Sequence, residues 1–267
     1  MAHITAGGMR IAVREEGEGR PVVLIHGNSA SSGTWARQFD SPLVDRARLI
    51  ALDLPGHGAS DRAADPADYS MPGYAAVVAQ VLDALDATGA VLVGWSLGGH
   101  IALEAVPLRD DLAAVAIFGT PPVGKPPAMD QAFLPNPAMD VGFTADVDTA
   151  GAEAYAASFL APGSTLGTEP FTADILATHG GARSGLMASI GEGRFADELE
   201  VVAGMRIPLA VLHGEGEQLV SLDYLRGVEA PTLWRGEVQV IPGAGHAPHA
   251  EAPEAFNGLL GDLLDEL

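Results

Sequence analysis

Ser96 stands in the pentapeptide Gly94-Trp95-Ser96-Leu97-Gly98, directly after the apolar run Val91–Val93 and before the helix-forming stretch "GHIALEAVPL". A serine hydroxyl is a poor nucleophile at neutral pH and needs a base, which in turn needs an acid to orient it. The G-x-S-x-G spacing suits such a nucleophile when it lies between a strand and a helix. The turn is then so sharp that side chains two residues to either side of the serine would collide, which accounts for Gly94 and Gly98. The serine also falls at a helix N-terminus, where free N–H groups and the helix dipole favour a developing negative charge.

In sites of this kind the chain order is serine, then acid, then histidine. His246, in "IPGAGHAPH", follows the last expected strand and precedes the last expected helix, and is the expected base; His249, three residues on, is its competitor. For the acid, the loop after "PLAVLHG" offers Glu215 and Glu217. Glu217 occupies the usual carboxylate position, the third beyond the strand-ending Gly214, although aspartate is commoner there; Asp130 is the fallback, and Asp223 reads as a helix-start residue. The oxyanion of a tetrahedral intermediate requires backbone donors. Leu97, after the nucleophile, and Asn28, after His26-Gly27 in "VVLIHGNS", are the expected pair. His26, Asp53, His57, His100 and His213 read as packing or turn residues.

Elements must hold these residues in place. Short aliphatic runs bounded by glycine alternate with longer Ala/Leu-rich stretches, the pattern of a mostly parallel sheet covered by helices. "RIAVREEG" alternates apolar and polar residues and reads as half of an antiparallel hairpin at the sheet edge. "PVVLIHG", "ARLIALDLPG", "AVLVGWS", "LAAVAIFGT", "PLAVLHG" and "EVQVIPGAGH" read as strands, most apolar on both faces. "YAAVVAQVLDALDATG" and the terminal "APEAFNGLLGDLLDEL" have helical spacing. Residues 121–205 contain no convincing core strand, begin in a proline-dense stretch and hold too few large apolar residues for a core of their own. They read as a helical cap inserted into a single domain spanning 1–267.

Composition narrows the partners. The 267 residues are 48% hydrophobic and carry 14 Lys+Arg against 35 Asp+Glu, a net charge of −21. That charge repels nucleic-acid phosphates and anionic membranes and points to a small-molecule partner. The absence of cysteine excludes thiolate chemistry and disulfides. The N-terminal stretch lacks a signal-peptide pattern and no apolar run is long enough to span a bilayer, so a cytoplasmic protein, monomeric or a small homo-oligomer, is expected. Neither a metal-binding His-x-His-x-Asp-His spacing nor a phosphate-binding glycine loop occurs, and no cofactor or metal is expected.

Together "VVLIHGNS", "DLPGHGAS", "GWSLGGH" and "GAGHAP" resemble the α/β-hydrolase superfamily over essentially the whole chain. The resemblance implies a mostly parallel eight-stranded sheet flanked by helices. "IHGNSAS", "YSMPGYA", "GWSLGGHIALE", "GTPPV", Glu217 as the acid and "LWRG" ahead of "IPGAGHAPHAEAPEAF" are similar to the serine-dependent N-acyl-homoserine lactonases, the quorum-quenching branch, which also uses glutamate. That likeness implies opening of a lactone through an acyl-enzyme, with a carboxylesterase of other range or a poorly active ligand-binding protein as alternatives. It makes Tyr155 a gating and substrate-binding residue of the cap. Trp95, Phe133, Phe143 and Phe159 are further candidates for contact with the substrate, any of which could instead be cap core.

Overall fold

The computed structural model describes all 267 residues. Eight strands form one sheet: β1 (Ala2–Ala6), β2 (Met9–Glu16), β3 (Pro21–Ile25), β4 (Arg48–Leu52), β5 (Val91–Trp95), β6 (Ala114–Phe118), β7 (Leu209–Gly214) and β8 (Gln239–Ile241). Their order is β1-β2-β4-β3-β5-β6-β7-β8. The first two form the expected edge hairpin, and β2 pairs antiparallel with β4; every later pairing is parallel. β3, β5, β6 and β7 are buried along their whole length, because helices cover both faces and leave no position where a polar side chain could reach water. β8 is shorter than "EVQVIPGAGH" suggests: pairing with β7 ends at Ile241, and the chain turns at Gly243, where φ is +71°.

Helix α1 (Met71–Ala84) starts three residues before the expected Tyr74. The Ser70 side chain caps it by accepting from the Gly73 N–H, and a proline occupies its first turn, where a missing N–H costs nothing. Met71, Tyr74, Val78, Val81 and Leu82 bury its apolar stripe. Helix α2 (Leu97–Ala105) leaves β5 through Ser96 and is buried on almost every side.

Between β6 and β7 the chain adds no strand to the sheet. It forms α3 (Thr149–Ser158), α4 (Glu169–Ala177), α5 (Gly180–Gly191) and α6 (Glu198–Gly204), with short helical turns before them. This segment shares a cavity with the carboxyl end of β5. The last helix, α7 (Pro253–Asp265), buries Phe256, Leu260 and Leu263; the Phe256 ring meets Phe118 of β6 edge-on at 4.9 Å. One continuous apolar core includes residues of the sheet, α1, α2, α7 and the helical segment.

Candidate active site

The turn that carries Ser96 is strained. Its φ of +53° and ψ of −119° are unfavourable for a residue with a side chain. Backbone contacts hold it: the Ser96 N–H donates to the Phe118 carbonyl at 2.8 Å, and the Thr120 hydroxyl donates to the Ser96 carbonyl at 2.7 Å. Gly94 has the reason expected of it, a collision across the turn, whereas Gly98 is required by the neighbouring strand β3. A Cβ on Gly94 would lie 2.3 Å from the Gly98 carbonyl oxygen, and one on Gly98 would lie 2.1 Å from that of Ile25.

His246 enters from the loop after β8. Its Nδ1 faces Glu217 Oε2 at 2.8 Å, and both side chains are only 2% exposed. The other Glu217 oxygen accepts from the Leu219 N–H at 2.7 Å. Burial pushes the Glu217 carboxyl up, but the His246 ring and the Leu219 N–H outweigh it and hold the group below the ordinary glutamate range. An acceptor-only carboxylate fixes the proton on Nδ1 and leaves Nε2 as a base. That Nε2 is buried without a hydrogen bond in the protein, on a ring that shares its cavity with Ser96.

The rival acids and base lie elsewhere. Glu215 accepts from the Gly243 N–H at the surface, Asp130 sits on an exposed turn, and Asp223 is in the first turn of a short helix, as expected of a helix-start residue. His249 is fully buried against Trp35, Trp95 and Phe118, and its Nε2 pairs with the Thr34 hydroxyl at 2.7 Å. Burial, with the nearby His246, pushes its pKa down to about 3, so it is neutral.

The Asn28 and Leu97 N–H groups donate to no acceptor within the protein. The Asn28 amide is occupied, donating to the Gly142 carbonyl and so tying the β3 loop to the helical segment. His26, Asp53 and His57 form the expected rigid framework. Asp53 accepts from the Ser32 and Ala59 N–H groups, His26 accepts from the Leu54 N–H, and burial lowers His57 to about 3.

The cavity over Ser96 is narrow, about 80 Å³, and mostly apolar. Tyr155, Phe133 and Phe143 line it; burial raises the Tyr155 phenol, which stays protonated. Trp95 does not line it, contrary to expectation. The turn after β5 brings Ser96 to the cavity while the preceding residue points into the core, where the Trp95 indole donates to the His246 carbonyl at 2.8 Å. Phe159 likewise packs between Trp95, Tyr155 and His246 instead of facing the cavity. Sequence reasoning missed Met71, Met129, Met139, Leu186, Ile190 and Phe195, which together with Val123, Pro127 and Leu219 complete the wall. Isolated apolar residues carry no spacing signal that separates pocket from core. It also read His100 as packing, whereas this residue lines the cavity.

The alpha/beta hydrolase family description matches residues 22–259. The chain belongs to the alpha/beta hydrolase family. Among solved structures, this hydrolase is similar to the N-acyl homoserine lactonase AidH complexed with N-butanoyl homoserine: 37% identity, TM-score 0.93, covering 98% of this chain and 95% of that one. An esterase from Rhodococcus sp. ECU1013 aligns at 25% identity and a TM-score of 0.82, covering 99% and 98%. Among curated proteins, the 2-hydroxymuconate semialdehyde hydrolase of Pseudomonas sp. (strain CF600) is 29% identical over 98% of this chain and 93% of its own length. Uncharacterized proteins of Mycobacterium tuberculosis and Mycobacterium bovis are 41% identical over 100 residues, and the match spans 28% of their length. Family membership with lactonase and esterase relatives supports ester-bond hydrolysis as the class of reaction.

Proposed function

We propose that this hydrolase opens the lactone ring of N-acyl-homoserine lactones through a covalent acyl-enzyme, with residues 121–205 as the cap that encloses the substrate. The observation that carries the proposal is the buried Glu217–His246 pair in a site whose cavity also holds Ser96, on a chain similar over 98% of its length, at a TM-score of 0.93, to a lactonase solved with N-hexanoyl homoserine lactone.

Ser96 Oγ attacks the lactone carbonyl as His246 Nε2 takes its proton, and Glu217 stabilises the imidazolium. The N–H groups of Asn28 and Leu97 receive the oxyanion; mutational losses at such donors are about 10² to 10³ in kcat, which makes them a major part of the rate. Collapse breaks the ring C–O bond, and His246 returns the proton to the departing alkoxide. Because the ester is cyclic, the alcohol stays attached to the acyl group. A water activated by His246 then cleaves the acyl-enzyme and releases N-acyl-homoserine. The route uses protein groups and water alone. Tyr155, Phe133 and Phe143 hold the acyl part of the substrate. Quorum quenching in the cytoplasm, by a monomer or small homo-oligomer, is the setting in which we place this activity.

A carboxylesterase of different range is the second reading, favoured by the full-length likeness to the Rhodococcus esterase. Acid release at constant pH from N-hexanoyl-homoserine lactone and from p-nitrophenyl esters separates the two. Lactone opening is the expected outcome; fast ester cleavage without it would leave the esterase. Neither activity would favour a ligand-binding protein. Ser96→Ala is expected to abolish turnover of both substrates.

A further inference from the structure

His100 stands one helical turn beyond Ser96 on α2 and lines the same cavity. Its Nδ1 is 2.8 Å and 2.9 Å from the two carboxylate oxygens of Glu198 at the start of α6. Glu198 is fully buried, and one of its oxygens also accepts from the Val123 N–H at 2.8 Å. The His100 side chain retains 12% exposure, and its Nε2 makes no hydrogen bond within the protein. The site therefore holds a second histidine–carboxylate pair, built as firmly as Glu217–His246 and not used by the ester chemistry. A buried carboxylate spent on orienting a ring against an apolar cavity is costly for packing alone, because the same space could hold an apolar pair.

We propose that His100, oriented by Glu198, forms a hydrogen-bonding subsite for a hydroxyl group on the acyl chain of the substrate. The carboxylate occupies Nδ1 and leaves Nε2 without a partner on a ring that lines the cavity, and a hydroxyl, which can both donate and accept, can pair with it. The position along the chain follows from reach. The Cβ atoms of residues i and i+4 of a helix are about 5–6 Å apart, a spacing we take over to the two side-chain ends because both side chains line the same cavity, and an extended chain covers about 3.8 Å in three bonds. From the attacked carbonyl, four to five bonds lead through Cα, nitrogen and the amide carbon to the second or third acyl carbon. The subsite thus reads a hydroxyl near the amide and not one at the far end of the chain. His100 is a positioning and specificity residue here and takes no proton from the reaction.

The inference rests on the lactonase reading, and the test separates the two. N-(3-hydroxyhexanoyl)-, N-(5-hydroxyhexanoyl)- and N-hexanoyl-homoserine lactone are compared by kcat/KM from acid release. The same ligands are compared by Kd, from calorimetry, on the Ser96→Ala protein. The 3-hydroxy compound is expected to exceed the unsubstituted one by about three- to tenfold, the size of one hydrogen bond. The 5-hydroxy compound should gain nothing. In His100→Phe, which keeps a ring of similar size, the 3-hydroxy ratio should fall to about one by both measurements, with circular dichroism confirming the fold. A native ratio of one or below overturns the proposal without any variant, and so does a preference that survives in His100→Phe. Ready opening of N-hexanoyl-homoserine lactone with no preference sinks the subsite and leaves the lactonase. A 3-hydroxy preference in Kd with no turnover by the native protein sinks the lactonase and supports the subsite.

Discussion

Glu217 shows what one carboxylate contributes when its two oxygens are divided between a histidine ring and a backbone N–H. Glu217→Gln keeps the shape but lets the amide present either an acceptor or a donor to Nδ1, so the productive tautomer is no longer enforced. With the roles proposed for Ser96, His246 and Glu217, a loss of about 10⁴ in kcat is expected, on the scale seen when established serine triads lose their acid, and an unaffected rate in steady-state assays would move the acid elsewhere. His249 supports a different prediction. Its folded pKa of about 3 lies below the unfolded value of about 6.5. The unfolded chain therefore binds one more proton between those values, and stability declines as pH falls from about 6.5 towards 3. Other groups titrate in the same range, so the slope is best read as a difference. His249→Asn should show a shallower fall than the native chain, by up to about 1.4 kcal/mol per pH unit, in urea denaturation at pH 7, 5.5 and 4.5.

The strand-turn-helix unit from β5 to α2 depends on backbone contacts so close that glycine is obligatory at particular places and dispensable at others. At Gly98 an added methyl would meet the Ile25 carbonyl at 2.1 Å, and backbone cannot yield as a flexible side chain can. Gly98→Ala is expected to cost about 1–3 kcal/mol and to lower kcat by shifting Ser96 relative to the Asn28 loop. Gly258, exposed in α7, has open space around it and no positive φ. There the same substitution should stabilise by about 0.5–1 kcal/mol, because alanine loses less backbone entropy in a helix. Equal effects at the two positions, in paired urea titrations, would refute the assignment. Helices α1, α2 and α7 were legible in the sequence, whereas α3 to α6 were foreseen only as one helical segment without individual bounds. First residues were less legible: α1 begins at Met71 because the Ser70 cap, and not the apolar pattern, decides where the helix starts.

At the scale of the whole molecule the sheet and the segment over it differ in how they are held. The strands are held by the ladder, and β3, β5, β6 and β7 are buried along their whole length, while the segment between β6 and β7, which contributes only some residues to the apolar core, is tied together in part by one buried cation. Arg183 donates to the Thr144 and Ala145 carbonyls in the stretch before α3 and to those of Ile175 and Thr178 at the end of α4, which have no helical partner. Arg183→Met should leave those carbonyls unpaired and speed limited proteolysis within residues 144–178 several-fold, while the sheet fragments persist on a gel; cleavage spread evenly over the chain would contradict this. No helix is long and apolar enough to cross a membrane. The amino-acid sequence by itself determined the alternation of buried strands and helices, the sharp turn at Ser96 and the order of serine, glutamate and histidine, since each follows from local spacing, glycine placement or chain order. The sequence also favoured His246 over His249, and the structure places His246 on the cavity; tertiary structure alone decided that the Trp95 indole meets the His246 carbonyl and that His100 meets Glu198 across the fold. Those outcomes depend on which way a side chain leaves its element and on partners 98 and 151 residues away in sequence, and no local pattern carries that information.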